Sequence, residues 1–147
     1  MERLFPLAPS LNQLSNIIGS VAAPAFLLGA VAAFISVLMS RMNRVIDRSQ
    51  SLHKIIEDDK ERAYLREDIP RLKRRAKLLN ESIFYATISA IMTALIIIVA
   101  FVSAMLHLSH EYGTAAFFVI ALVFFLRALI GLAREICIGL SELDHHV

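Results

Sequence analysis

The chain has 147 residues, 57% of them hydrophobic, a mean hydropathy of +0.64 and a formal net charge of +2. So large an apolar share exceeds what one soluble core of this size can hide, which excludes an ordinary water-soluble domain and points to lipid. The small net charge conceals a segregation: of fifteen Lys and Arg, all but Arg3, Arg127 and Arg134 lie between Arg41 and Lys77.

Near the N-terminus, Arg3 precedes an apolar run that contains Ala30-Val31-Ala32, the outline of a signal peptide. The run continues through Phe34 and Val37 to Met39, too long for a signal h-region, and reads as a retained helix. The first predicted span, 17–40, carries no charge and meets the ~20 residues needed to cross ~30 Å of hydrocarbon.

Residues 41–81 are hydrophilic yet poor in turn formers, and they hold two apolar stripes at coiled-coil spacing. Met42, Val45, Ser49, Leu52 and Ile56 form one; Leu65, Ile69, Leu72, Ala76, Leu79 and Ile83 form the other and run into the next apolar stretch. The pattern predicts an antiparallel helical hairpin that reverses near Glu57 to Lys60, each helix 35–40 residues long or ~55 Å including its span. Pro70 predicts a kink or restart in the returning arm, with Glu67 and Asp68 near the positive end of the new helix.

The second span is predicted at 82–108 and the third at 115–140. The connection from His107 to Thr114 has no Lys or Arg, whereas 41–80 has twelve, so the positive-inside rule puts the hairpin and the C-terminus in the cytoplasm and the N-terminus outside. The fold class is an all-α membrane protein of three transmembrane helices with a cytoplasmic hairpin between the first and second. Cys137, the single cysteine, reads as a packing residue.

Ala22-Ala23-Pro24-Ala25, the element from Ser40-Arg41-Met42-Asn43-Arg44 through Val45-Ile46-Asp47-Arg48, and Arg71 to Leu79 resemble a family of small bacterial inner-membrane proteins classed as a domain of unknown function. The resemblance covers Leu11 to Glu142 and implies the three-span topology and a bacterial inner-membrane location. It carries no activity.

Candidate functional residues fall into five groups. Arg41, Asn43, Arg44, Asp47 and Arg48 after the first span, with Arg71, Lys73, Arg74, Arg75 and Lys77 before the second, are candidate contacts for anionic lipid or a neighbouring subunit, since Arg forks suit phosphate and carboxylate. The plainer reading is topological anchoring with internal ion pairs to Asp47 and Glu81. In span two, Ser82, Tyr85, Ser89, Thr93, Ala100, Ser103 and His107 share one helical face. Span one has a small-residue face of Ala22, Ala25, Gly29, Ala33, Ser36 and Ser40.

Either these two faces pack on each other within one subunit, or Tyr85, Ser89, Thr93 and Ser103 line a water-filled path at the axis of a homo-oligomer. Arg127, ~18 Å along span three, must snorkel, face water or find Ser89, Thr93, a carbonyl, Glu81 or Glu135; a ring of such arginines would favour anions. His107, His110 and Glu111 give only a weak metal spacing, and His145 and His146 support nothing.

No glycine-rich phosphate loop, nucleophile elbow or zinc-hydrolase motif occurs, so the expected function is non-enzymatic, with no cofactor and no metal. Nucleic acid is not an expected partner, since the basic run lacks aromatic interleaving. The expected partners are the protein itself, anionic lipids and a cytoplasmic protein. The expected role is an anion-leaning channel or pore, or alternatively a membrane scaffold whose hairpin binds a partner or lipid.

Overall fold

The computed structural model describes residues 10–58, 66–106 and 111–144. They form three helices in succession: α1 Leu11–Asp58, α2 Asp68–Met105 and α3 Glu111–Asp144. There is no strand among the described residues. Within these helices Leu11–Ile55, Asp68–Met105 and Tyr112–Ser141 are each long and apolar enough to cross a membrane, the make-up of a multi-pass membrane protein.

α1 starts six residues before the expected 17, because Ser10 and Gln13 cap each other. The Ser10 N–H donates to Gln13 Oε1 at 3.0 Å, and the Gln13 N–H donates to Ser10 Oγ at 3.3 Å. The helix then runs unbroken for 48 residues, about 72 Å and well over twice the hydrocarbon thickness. Both exceed the expected 35–40 residues and ~55 Å.

Pro70 does not kink a longer helix. α2 begins at Asp68 after a tight turn at Arg66 and Glu67, so Pro70 occupies the first helical turn, where its missing N–H has no partner to lose. Asp68 sets a negative charge against the positive end of the helix. α1 ends at Asp58, within the expected reversal from Glu57 to Lys60; Asp59, Lys60 and Leu65 lie outside the described residues, as does the side chain of Ile56.

α2 is the middle element, packed along α1 on one side and α3 on the other. Burial follows a seven-residue step on every helix: Pro24, Val31, Leu38, Val45 and Leu52 on α1, Leu72, Leu79, Ala86 and Thr93 with Ser82, Ser89 and Ile96 on α2, and Ala121, Ala128 and Glu135 on α3. An ideal straight helix would drift ~20° per heptad off such a step, so a line that stays covered this long requires the helices to wind gently about one another. Of the expected hairpin stripes, Val45, Leu52, Leu72 and Leu79 are buried and Met42, Ser49, Ile69, Ala76 and Ile83 half-buried.

The two contacts of α2 differ in kind. Val31, Leu38, Val45 and Leu52 of α1 join Leu72, Leu79 and Ala86 of α2 and Ala128 of α3 in one apolar cluster. The buried line of α3 includes the small residues Ala121, Ala128 and Gly131, and a side chain at Gly131 would collide with the Ser82 hydroxyl. Such residues let membrane helices approach closely. α1 and α3 meet through long side chains: Phe34 and Phe125 stand edge to face at 5.4 Å.

Along the apolar stretches the surface outside these seams is apolar, with Phe26, Phe84, Ile91, Ile98, Phe117 and Val123 exposed. In water so much exposed apolar area would be a liability; against lipid it is the expected surface.

Gly131→Ala is expected to lower stability by about 1–3 kcal/mol through overpacking against Ser82. Adding Ser82→Ala should recover much of that loss, read by steric-trapping or denaturant unfolding in bilayers or micelles. Strictly additive penalties would show that the two positions do not meet.

Candidate functional site

Among the described residues Glu135 is the charged residue most completely withdrawn from solvent, with no exposed surface. It occupies the buried line of α3 seven residues after Ala128, so the packing that covers the helix also covers its carboxylate. An isolated buried carboxylate is very costly, and here two arginines from the other helices meet it. Arg41 Nη1 of α1 donates to Oε2 at 2.9 Å; Arg75 of α2 donates to Oε1 from Nε at 2.9 Å and from Nη2 at 2.7 Å. Both carboxylate oxygens are thereby bonded, and one acid joins all three helices.

Local sequence makes this reach possible. Arg75 lies across Gly139, one turn beyond Glu135; a Cβ there would sit 3.3 Å from Arg75 Nη2, so the glycine leaves a shelf for the guanidinium. Arg41 is the first charge after the apolar stretch of α1, and its side chain keeps 38% of its surface exposed against 19% for Arg75. The pair with Arg75 is therefore the better shielded of the two.

Beside this ion triad opens a recess of about 340 Å3 lined by Val37, Ser40, Arg41, Arg44 and Arg75. Arg44 is exposed and makes no ion pair among the described residues. Asn43, Asp47, Arg48, Arg71, Lys73, Arg74 and Lys77 are also exposed. The anchoring acids expected from sequence, Asp47 and Glu81, form no ion pair among the described residues; Glu135 takes that part.

The polar face of α2 is spent inside the subunit. Ser89 Oγ donates to the Ala121 carbonyl of α3 at 2.8 Å, Thr93 Oγ1 to the Ser89 carbonyl at 2.7 Å, and both residues are fully buried. Ser82, also buried, bonds back to the Leu78 carbonyl. Ser103 is half-buried farther along α2. The expectation that the faces of spans one and two pack on each other is corrected: α2 turns its hydroxyls to α3. The small face of α1 points outward, with Ala22, Ala25, Gly29, Ala33, Ser36 and Ser40 all exposed.

Arg127 meets none of its expected partners. Its guanidinium lies over the Tyr85 ring, 5.2 Å from the centroid, while Phe124, one turn earlier on α3, stacks on the same ring at 6.1 Å. Arg127 and Tyr85, both half-buried, line an open recess of about 650 Å3 with Asn80, Glu81, Ile83, Phe84 and Thr87. Eight residues separate Arg127 from Glu135, which places it about 12 Å along α3 from the ion triad.

Cys137 is exposed rather than packed, at the edge of a shallow site with Arg74 and Arg134. No group of His, Cys, Asp and Glu suited to a metal occurs among the described residues; His107, His110, His145 and His146 fall outside them, as does the side chain of Glu111.

Sequence reasoning missed Glu135 as the acid for Arg41 and Arg75. The signal was present: it is an acid on the seven-residue line through Ala121 and Ala128, close to where the apolar part of α3 ends.

Glu135→Ala should cost about 3–5 kcal/mol, since it leaves two guanidiniums facing each other without a counter-charge. Arg75→Ala should cost less than that, and Arg41→Ala least because it is already partly solvated. Glu135→Leu combined with Arg75→Met should be milder than Glu135→Leu alone; unfolding free energies of the set in bilayers check the order.

A family model described as a protein of unknown function (DUF2721) matches residues 21–145, and the chain belongs to that family. No curated protein and no solved structure matches it.

Proposed function

We propose that this member of the DUF2721 family is a non-enzymatic, homo-oligomeric scaffold of the bacterial inner membrane, with the α1–α2 hairpin and the C-terminus in the cytoplasm and the N-terminus outside. The orientation rests on the twelve Lys and Arg in residues 41–80, facing the negatively charged inner leaflet. The bacterial location rests on the family resemblance.

The observation that carries the scaffold reading is the continuity of α1. Its buried line runs from Val31, in the apolar stretch, through Leu38 and Val45 to Leu52 in the polar one. A hairpin built this way is a stiff arm rather than a tether, and a stiff arm holds its outer end, around Leu52 and Leu72, at a fixed height for a partner. Its exposed cations, Arg71, Lys73, Arg74 and Lys77 among them, suit anionic lipid at the base.

Self-association is the natural use of the outward small face of α1. A Cβ added at Gly29 would meet nothing within 4 Å, so the residue is not needed small for its own subunit. Small residues at Gly29, Ala33, Ser36 and Ser40 let a second helix approach closely.

A pore reading draws on a different observation, the recess that sets Arg127 among Asn80, Glu81 and Thr87 on the outer surface of α2 and α3. An oligomer that turned these recesses inward would present a polar axis carrying Arg127 beside Glu81. Ser89 and Thr93, closed off between α2 and α3, are not available to such an axis without a rearrangement of the subunit.

Gly29→Leu and Ala33→Leu should each disperse the oligomer by at least a size class in native mass spectrometry while leaving helix content unchanged; an unchanged oligomer would reject α1 as the contact. Purified protein in liposomes should conduct no more chloride than empty liposomes under the scaffold reading. Chloride flux whose anion preference falls in Arg127→Ala would establish the pore reading instead.

A further inference from the structure

We propose that the recess lined by Arg41, Arg44 and Arg75 is a binding site for the phosphate of an anionic phospholipid headgroup. The inference rests on the membrane placement of the helices given above and not on the scaffold role.

Charge is the first argument. Three guanidiniums border the recess, and among the described residues one carboxylate, Glu135, pairs with two of them, so Arg44 brings a further positive charge to its mouth. Asp47, one turn from Arg44 on α1, is exposed and forms no ion pair among the described residues, so the Arg44 fork is not engaged by it. A guanidinium carries five N–H donors. Among the described residues Arg41 spends one on Glu135 and Arg44 makes no hydrogen bond.

Rigidity is the second. Glu135 fixes Arg41 and Arg75 by three hydrogen bonds of 2.7–2.9 Å, so two of the three forks are held in place before any ligand arrives. Pre-positioned donors bind better because less side-chain freedom is lost on binding. Arg forks match phosphate oxygens in pairs, which a scattered lysine surface does not.

Position decides between a lipid and a free anion. Ser40 and Val37 close the apolar side of the recess, and beyond them the exposed small face of α1, with Ser36, Ala33 and Gly29, continues into the apolar stretch. A phosphate in the recess would sit at the depth where the uncharged part of α1 gives way to charge, with its acyl chains in the hydrocarbon beside the apolar stretch. Ser40 adds a hydroxyl donor at the same mouth.

The informative variant is Arg44→Gln, because Arg44 stands outside the ion triad and its loss leaves Glu135 fully bonded. Full-length protein in detergent micelles is titrated with phosphatidylglycerol, with phosphatidylcholine and with inorganic phosphate, and bound species are counted by native mass spectrometry. The expected result is one saturable phosphatidylglycerol per chain, preferred over phosphatidylcholine and weakened about tenfold by Arg44→Gln, the loss of a charge-assisted contact. Lys54→Gln, which removes the same charge from a distant exposed point of α1, should leave binding unchanged.

Equal binding of the two lipids, or equal weakening by Arg44→Gln and Lys54→Gln, would overturn the proposal in favour of diffuse surface charge. Displacement of phosphatidylglycerol by millimolar inorganic phosphate would overturn the lipid assignment. Co-flotation with phosphatidylcholine vesicles checks membrane placement separately: a chain that floats but shows no lipid preference rejects the site alone.

Discussion

A carboxylate withdrawn from water has to be met by positive donors, and Glu135 is met from two other helices at once. This constraint fixes the relative height of all three elements. α1 and α2 can slide along an apolar seam by one turn and still bury leucines, but only one register brings Arg41, Arg75 and Glu135 to the same level. A buried ionic group of this kind contributes specificity more than stability, because its desolvation offsets much of its attraction. The apolar and small-residue seams supply the packing; the triad selects which packing.

From that level the rest of the molecule can be measured in both directions. On the apolar side, α2 turns its hydroxyls into α3 and leaves lipid-like surface outside. On the polar side, the buried line of α1 continues to Leu52 and holds the hairpin as an extension of the same body. The arginine recess opens where the two parts meet, and the triad that sets the register also sets its walls. The helix register and the proposed lipid contact thus converge on one layer of the protein.

Much of the architecture was legible in the residues because it depends on hydropathy and period, which are local. The three spans, the hairpin and its stripes follow from runs and spacings that any neighbour would have to respect. Which face meets which neighbour is not local. Ser89 and Thr93 form a polar line compatible with a pore, an α1 contact or an α3 contact, and the Ala121 carbonyl chooses the last.

The same holds for the charges. Asp47 and Glu81 are the acids nearest the arginines in sequence, whereas Glu135 lies 94 residues from Arg41 and 60 from Arg75. Helix continuity, not chain proximity, brings them together. The small face of α1 was visible as a pattern, but its outward direction follows only from the competing claim of Val31, Leu38 and Val45 on the inner side.

The central claim is that Glu135 fastens three helices through Arg41 and Arg75, and it can be read directly in a bilayer. Solid-state NMR of protein carrying a 13C label in the Glu135 carboxyl and 15N in arginine guanidiniums should show dipolar contacts below about 4.5 Å, the separation implied by charge-assisted hydrogen bonds. The contact should weaken in Arg41→Gln and again in Arg75→Gln. A carboxyl with no guanidinium nitrogen within that distance would contradict the account.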